Sequence, residues 1–168
     1  MEFQDALRRR KMCRSFADRP VDAALLDRIL TNARRAPSAG FSQGWAFVVL
    51  EGQSQTRMFW DYTTDESWQA DPDWPGLLRA PIIILPLADK QTYLDRYSEP
   101  DKAKFGLGDE RKWPVPFWIV DTAFATMAML LTAADSGLGA LFFGIARGEQ
   151  ELLASLGVPS GYQPIGAV

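Results

Sequence analysis

The pattern of apolar and polar positions along the chain predicts alternating helices and strands. A short first helix is indicated near residues 3–10. A second helix begins at Asp22, a suitable N-cap residue, and ends before Pro37. Two further helices are predicted near residues 55–62 and 149–156. The apolar stripe of the second helix has helical spacing and consists of Leu25, Leu26, Ile29, Leu30 and Ala33.

Four apolar runs of strand length predict a sheet. They cover residues 46–50, 82–87, 140–145 and 165–168. The run at 82–87 shows no polar alternation, which indicates a strand buried on both faces. The last run stops within an apolar pattern, so we expect a further C-terminal segment in the whole protein.

The most apolar segment, residues 117–136, is predicted to be a long helix buried in a core or in a subunit interface. It is apolar on every face, more than one core of this size can absorb, so we expect it at a dimer interface. Met127, Met129, Leu130 and Leu131 should then be nearly inaccessible. Its longest stretch without a charge, residues 122–134, is shorter than the roughly 20 residues that span a bilayer, so no membrane partner is expected.

Two segments interrupt this pattern. Residues 63–76 are rich in Asp, Trp and Pro and are interpreted as a surface excursion. Trp60, Trp68 and Trp74 would cover a surface loop or build a pocket wall. Residues 89–116 are polar and irregular, with a helical turn around Tyr93, and are interpreted as a lid or substrate loop.

The amino-acid composition limits the kinds of catalytic and metal sites that the protein can contain. The 168 residues, 47% hydrophobic and 23% charged, suit one domain spanning 1–168. There is no histidine, and Cys13 is the single cysteine, so His-dependent triads, disulfides and the common zinc sites are excluded. An enzyme of this composition would rely on a cofactor for its reactivity. No targeting signal is visible at the N-terminus, which favours a cytoplasmic location.

A basic cluster precedes the second helix, although the net charge is −3. Its members are Arg8, Arg9, Arg10, Lys11 and Arg14. By itself such a cluster is either a solvated helix end or an anion site. Arg10 and Arg14 lie four residues apart and could flank one phosphate with forked, charge-assisted hydrogen bonds. A basic arm that binds nucleic acid is a further reading, which the acidic remainder of the chain disfavours.

The order of motifs around this cluster resembles the nitroreductase family of flavin mononucleotide (FMN) oxidoreductases. The N-terminal motifs are residues 10–16, Pro20-Val21, the second helix, Ala36-Pro37-Ser38-Ala39-Gly40 and Gln43-Gly44-Trp45. Ala80-Pro81 before a strand, and residues 121–134 followed by Gly137-Leu138-Gly139-Ala140, continue the similarity.

The resemblance implies an α+β fold with a mixed, mostly antiparallel sheet flanked by helices. It implies a homodimer with FMN at each of two interface sites. NADH or NADPH would donate hydride to the flavin, and a small electron-poor acceptor, such as a nitroaromatic or a quinone, would then be reduced in a ping-pong cycle.

The same resemblance implies three groups of flavin contacts. Arg10, Lys11 and Met12 would contact the phosphate, ribityl chain or pyrimidine end, with Arg14 as a second cation. The loop formed by Pro37, Ser38, Ala39, Gly40 and Gln43 would approach the flavin of the partner subunit. Phe142 and Phe143 would lie against the ring, and the Gly144 N–H would reach the ring nitrogen that accepts hydride. From the residues alone, each phenylalanine could equally be a core residue.

Three departures from the family pattern affect the pocket. Met12 stands at the usual serine, Phe41 at the usual asparagine and Gly44 at the usual proline. Phe41 could stack on the flavin or cover it, so we assign it to the substrate pocket. An alternative follows: a flavin-binding or flavin-cannibalising relative, or a non-catalytic flavin carrier, in which Phe41 seals the pocket.

Overall fold

Helices and short strands alternate along the computed structural model, which describes residues 2–168. The helices are α1 (Phe3–Arg9), α2 (Ala23–Ala33), α3 (Gln53–Thr63), α4 (Glu66–Ala70), α5 (Lys90–Ser98), α6 (Phe117–Asp135) and α7 (Glu149–Ser155). The strands are β1 (Trp45–Glu51), β2 (Ile82–Asp89) and β3 (Tyr162–Pro164). As predicted, the Asp22 side chain caps α2, accepting from the Ala24 N–H at 2.7 Å.

The sheet has the order β1-β2-β3, and both pairings are antiparallel. β1 pairs with the whole of β2, from Trp45 opposite Ala88 to Glu51 opposite Ile82. Past β3 the chain stays beside β2, because Ile84 and Val168 exchange two backbone hydrogen bonds of 2.8 Å each. Residues 165–168 therefore lie next to the central strand as predicted, but the regular strand is β3, three residues earlier, and residues 165–168 themselves are less regular than expected.

Isolated bridges extend the sheet on the side of β3. Phe143 pairs antiparallel with Ala167, and Met12 pairs parallel with Ala140. Only these bridges form in the predicted strand at 140–145, so it is less regular than expected. The parallel bridge makes the sheet mixed, as predicted, and it places the N-terminal basic cluster at the outer edge.

β2 is buried on both faces, which confirms the prediction from its continuous apolar run. Ile84 packs with Ile29 of α2 and Met129 of α6 on one face. Ile83, Leu85 and Leu87 belong to a second cluster, together with Phe59 of α3 and Leu152 of α7. The two clusters clamp the strand between two helical layers.

α6 is the predicted long helix, and most of it is buried against α1, α2 and β2. Within residues 2–168 it alone is long and apolar enough to cross a membrane, but over half of that stretch is buried inside the fold. Met129 and Leu130 are buried within a single chain, whereas Phe124 is 49% and Met127 46% exposed. α6 therefore keeps an uncovered apolar stripe.

The irregular segments contain more regular structure than predicted. The helical turn predicted around Tyr93 belongs to a full helix, α5, which Asp89 caps and in which Tyr93 is fully buried. Trp60 is buried in the core and lines an apolar cavity, in agreement with the second of its two predicted roles. Its ring stacks on Trp68 and on Phe143, with centroids 5.8 Å apart in both pairs.

The approach of α3 to α7 supplies a test of the packing. Gly148 precedes α7 with φ 65°, and a Cβ there would lie 1.9 Å from the Tyr62 carbonyl oxygen. Gly148→Ala should lower the free energy of unfolding by about 2–4 kcal/mol, because left-handed strain and a backbone clash add. Urea denaturation measures the change.

Gly157→Ala is the matched control, because Gly157 has φ 66° and a Cβ there meets no atom within 4 Å. This variant should lower the free energy of unfolding by only about 1 kcal/mol, the cost of the left-handed backbone conformation. Equal losses in the two variants would contradict the close approach at Gly148.

Candidate functional site

The N-terminal basic cluster is held against the segment that contains residues 140–144. α1 ends at Arg9, and the chain then runs extended along the sheet edge. The Cys13 N–H donates to the Ala140 carbonyl at 2.9 Å. The Phe142 N–H donates to the Met12 Sδ at 3.5 Å. Two of the three predicted groups of flavin contacts are thus adjacent within one chain.

Three of the cations at this edge have no ion-pair partner among residues 2–168. Arg8 forms an ion pair with Asp5. Arg10, Lys11 and Arg14 have no acidic partner among residues 2–168. The Arg14 guanidinium lies 5.2 Å from the centre of the Trp74 ring, a cation–π contact that leaves its donors available. Unpaired guanidinium and ammonium groups beside exposed backbone suit a phosphate anion.

The two phenylalanines of the second group differ in their surroundings. The Phe143 ring is turned into the core, where it stacks on Trp60 with planes 7° apart. The Phe142 ring is half-buried and packs over the backbone of Gly166. Gly144 is exposed, and a Cβ there would meet no atom within 4 Å. Phe142 and the Gly144 main chain are therefore the groups that remain open to a ligand.

The third group, the loop of residues 37–43, has a strained backbone. φ is +62° at Gly40, +56° at Phe41 and +53° at Gln43. Such angles are uncommon for residues other than glycine, and in folded proteins they cluster at functional sites. The Ser38 hydroxyl accepts from the Gln43 N–H at 3.0 Å, which closes the loop on itself. Phe41 stands at its tip, 78% exposed.

α5 and α6 hold this loop from below. The Asp121 carboxylate accepts from the Ala39 N–H and from the Tyr93 hydroxyl, each at 2.8 Å. Burial, and then the bond to Asp121, raise the pKa of Tyr93 above its usual value, so the phenol stays a donor. The Arg96 Nε donates to the Gly40 carbonyl at 3.0 Å.

Sequence analysis missed these supporting residues. Asp121 carries the one usable signal, because it is the only charged residue between Lys112 and Asp135 in an otherwise apolar helix. A lone carboxylate in such a helix needs buried donors, which points to a specific contact. Tyr93 and Arg96 give no such signal, since α5 is polar on most of its surface.

The loop does not join the other two groups within one chain. Among residues 2–168, no hydrogen bond or ion pair connects residues 37–43 with residues 10–14 or 142–144. The chain thus presents the predicted contacts as two separate surfaces, the basic edge and the strained loop.

Other features supply no alternative centre. An apolar cavity of about 230 Å³ lies between α2, α6 and β2, and Arg19 is its only charged lining residue. No three His, Cys, Asp or Glu side chains of the described part of the chain converge to hold a metal ion.

Known proteins that are similar to this chain have nitroreductase names. A protein of Methanothermobacter thermautotrophicus, provisionally named NADH dehydrogenase/NAD(P)H nitroreductase, is 26% identical over 145 residues, which are 86% of this chain and 62% of that protein. This chain thus spans less than two thirds of that relative. A protein of Archaeoglobus fulgidus with the same name is 26% identical over 153 residues, 89% of this chain and 73% of that protein.

Solved structures share the fold. The nitroreductase CinD from Lactococcus lactis, in complex with nicotinic acid, matches with a TM-score of 0.81 at 18% identity, over 99% of this chain and 86% of that chain. CinD in complex with chloramphenicol matches with a TM-score of 0.80, again at 18% identity and over the same shares of the two chains. The sequence model of the nitroreductase family matches residues 7–168. The chain belongs to the nitroreductase family.

Proposed function

We propose that the protein is an FMN-dependent oxidoreductase that transfers hydride from NADH or NADPH to a small electron-poor acceptor. The observation that carries this proposal is the basic edge, where Arg10, Lys11 and Arg14 have no acidic partner among residues 2–168. This segment is bonded to residues 140–142, next to the exposed Gly144. Family membership and the nitroreductase names of the relatives support it.

The residues present fit FMN. Arg10 and Arg14 would hold the phosphate, and Lys11 and Met12 the ribityl chain or the pyrimidine end. Phe142 would contact the ring system and the Gly144 N–H its reactive nitrogen, whereas the Phe143 ring already stacks on Trp60. When bound, the flavin supplies the redox chemistry by taking up two electrons from the donor and releasing them to the acceptor.

The chain's own part is binding and orientation. NAD(P)H loses a hydride and leaves as NAD(P)⁺, while a quinone gains two electrons and two protons and a nitro group is reduced. Without a histidine, this chain has no side chain with an ordinary pKa near neutrality at the site, so protons would come from solvent. Phe41, exposed at the loop tip, would form a wall of the acceptor pocket. CinD binds nicotinic acid and chloramphenicol, both aromatic molecules.

A homodimer would complete the site. The basic edge and the loop are separate surfaces within one chain, so we propose that Pro37, Ser38, Ala39, Gly40 and Gln43 reach the flavin held by the partner. The uncovered stripe of α6 offers the interface. Val120, Phe124, Met127 and Leu131 are spaced four, three and four residues apart, as in a helix seam. Reduced nicotinamide donors are cytoplasmic metabolites, so we propose a cytoplasmic location for the protein.

A second candidate, a non-catalytic flavin carrier or flavin-cannibalising relative, is favoured by the exposed Phe41, which could cover the ring. Anaerobic mixing of the flavin-loaded protein with NADH or NADPH distinguishes the two candidates. In an oxidoreductase, the flavin absorbance at about 450 nm is lost on mixing and returns when a quinone or nitroaromatic is added. A flavin that stays oxidised with both donors, or that is degraded, supports the second candidate.

The shared pocket predicts the form of the kinetics. If donor and acceptor occupy the same flavin face in turn, double-reciprocal plots at several acceptor concentrations should be parallel. Steady-state oxidation of NADH or NADPH, followed at 340 nm, gives these plots. Intersecting lines would mean that both substrates are bound together, and the single-face pocket would be wrong.

The basic edge predicts the effect of removing its arginines. Arg10→Ala and Arg14→Ala should each weaken FMN binding about 10- to 150-fold, since a charge-assisted hydrogen bond contributes about 1.5–3 kcal/mol. Titration of the apo-protein, followed by quenching of flavin fluorescence, measures the affinity. Riboflavin, which lacks the phosphate, should bind poorly to the parent protein.

Arg8→Ala is the control, because Arg8 already pairs with Asp5, and it should leave FMN affinity unchanged. If parent, Arg10→Ala and Arg14→Ala bind FMN equally, the basic edge is a solvated surface and not the phosphate site.

The interface predicts the effect of a charge on the α6 stripe. Phe124→Asp would bury two carboxylates in a symmetric dimer, so the variant should be monomeric at micromolar concentration, where the parent is dimeric. Light scattering measures the mass. Phe105 is the control, because it is 55% exposed but lies outside α6. The Phe105→Asp variant should remain dimeric. A monomeric parent with flavin bound would refute the interface.

A further inference from the structure

One buried carboxylate ties the strained loop to the helical layer. Asp121 is 2% exposed, and the same oxygen, Oδ2, accepts from the Ala39 N–H and the Tyr93 hydroxyl. We propose that Asp121 is a positioning residue, which holds the loop of residues 37–43 in the geometry that FMN binding requires. This role rests on the proposed function, because it takes FMN as the ligand of the loop.

The loop is held by bonds from outside as well as by its own local hydrogen bonds. Its positive φ angles at Phe41 and Gln43 are unfavourable for side chains with a Cβ, and they persist only where surrounding contacts enforce them. Inside the loop, the Phe41 N–H donates to the Ser38 carbonyl at 3.0 Å. The Ala39 N–H instead points inward to α6, so the start of the loop is fixed from outside.

Tyr93 couples the carboxylate to the far end of the loop. It is fully buried, and its ring lies where a Cβ on Gly44 would stand, at 2.5 Å from Cε2. One side chain therefore bonds Asp121 with its hydroxyl and packs under Gly44 with its ring. The contact also explains glycine at position 44, since a proline ring would collide with Tyr93.

The surroundings of the Asp121 carboxylate are better suited to fixing a geometry than to stabilising the fold. No Lys or Arg among residues 2–168 forms an ion pair with Asp121, so its charge is compensated by two hydrogen bonds only. A buried carboxylate without a cation is a poor source of stability. A buried carboxylate oxygen that accepts two hydrogen bonds does, however, fix one geometry, because a displacement of the loop or of Tyr93 breaks one of them.

The test uses two variants and two measurements. Asp121→Ala removes both bonds, and Tyr93→Phe removes only the hydroxyl and keeps the ring under Gly44. Hydrogen exchange of the apo-protein should be faster at Ala39 in Asp121→Ala, by about 10-fold or more relative to β2 amides, which report global opening. FMN affinity should fall about 10-fold or more in Asp121→Ala and less in Tyr93→Phe.

Thr126→Val is the matched control. Thr126 is equally buried on α6, but its hydroxyl donates to the Thr122 carbonyl of the same helix at 2.8 Å and not to the loop. It should leave exchange at Ala39, relative to β2, and FMN affinity as in the parent. If Asp121→Ala does not fold, Tyr93→Phe still removes one of the two donors and carries the test.

The outcomes separate the positioning role from the proposed function. Faster exchange at Ala39 together with weaker FMN binding supports the role. Faster exchange with parental FMN affinity overturns it, because the loop would then be held for another reason. Exchange that rises no more at Ala39 than in β2 also overturns it. A parent protein that binds no FMN contradicts the proposed function itself, and the positioning role falls with it.

Discussion

The central strand imposes the constraint on which the rest of the fold depends. β2 is apolar at nearly every position, so both faces need a cover, and α2 with α6 provides one while α3 with α7 provides the other. Both faces are closed and β1 occupies one edge of β2, and the remaining extended segments join on the other side. Residues 162–168, 140–143 and 12–13 do so in turn. The N-terminal cations therefore end at the rim of the sheet, where an anion can reach them.

α6 shows how one helix serves three surroundings. Met129 faces the sheet, Asp121 meets the loop and Tyr93, and Phe124 is left uncovered. An amphipathic helix would need one apolar side, whereas this helix needs apolar residues almost all round with a single carboxylate where the loop's N–H group arrives. α6 is therefore apolar on all sides because one side packs in the core and another forms the exposed stripe. The lone Asp121 marks where the apolar surface gives way to a hydrogen-bonded contact.

The correct predictions from the sequence concern features that are determined by residues close together in the chain. The burial of β2, the cap at Asp22 and the extent of α6 each follow from residues close together in the chain. The errors concern residues whose surroundings come from distant segments. The sequence of α5 predicts only a turn, because Tyr93 alone of its nine residues is fully buried, too few to give helical periodicity. The side on which Phe143 packs depends on Trp60, 83 positions earlier, and on a strand made of isolated bridges. The support of the loop by Asp121 was missed for the same reason.

The loop's strain has a consequence for how its sequence can vary. Its backbone is fixed by groups outside it, the Asp121 carboxylate at Ala39, the Arg96 guanidinium at Gly40 and the Tyr93 ring at Gly44. Arg96 is itself held by Asp101 through two hydrogen bonds of 2.8 and 2.9 Å, so this anchor is rigid as well. Because these contacts are to backbone atoms, the side chain at position 41 does not enter them. Phe41 can therefore stand where the family pattern has asparagine without loss of the loop geometry, which separates the chemistry of the pocket wall from the framework that holds it.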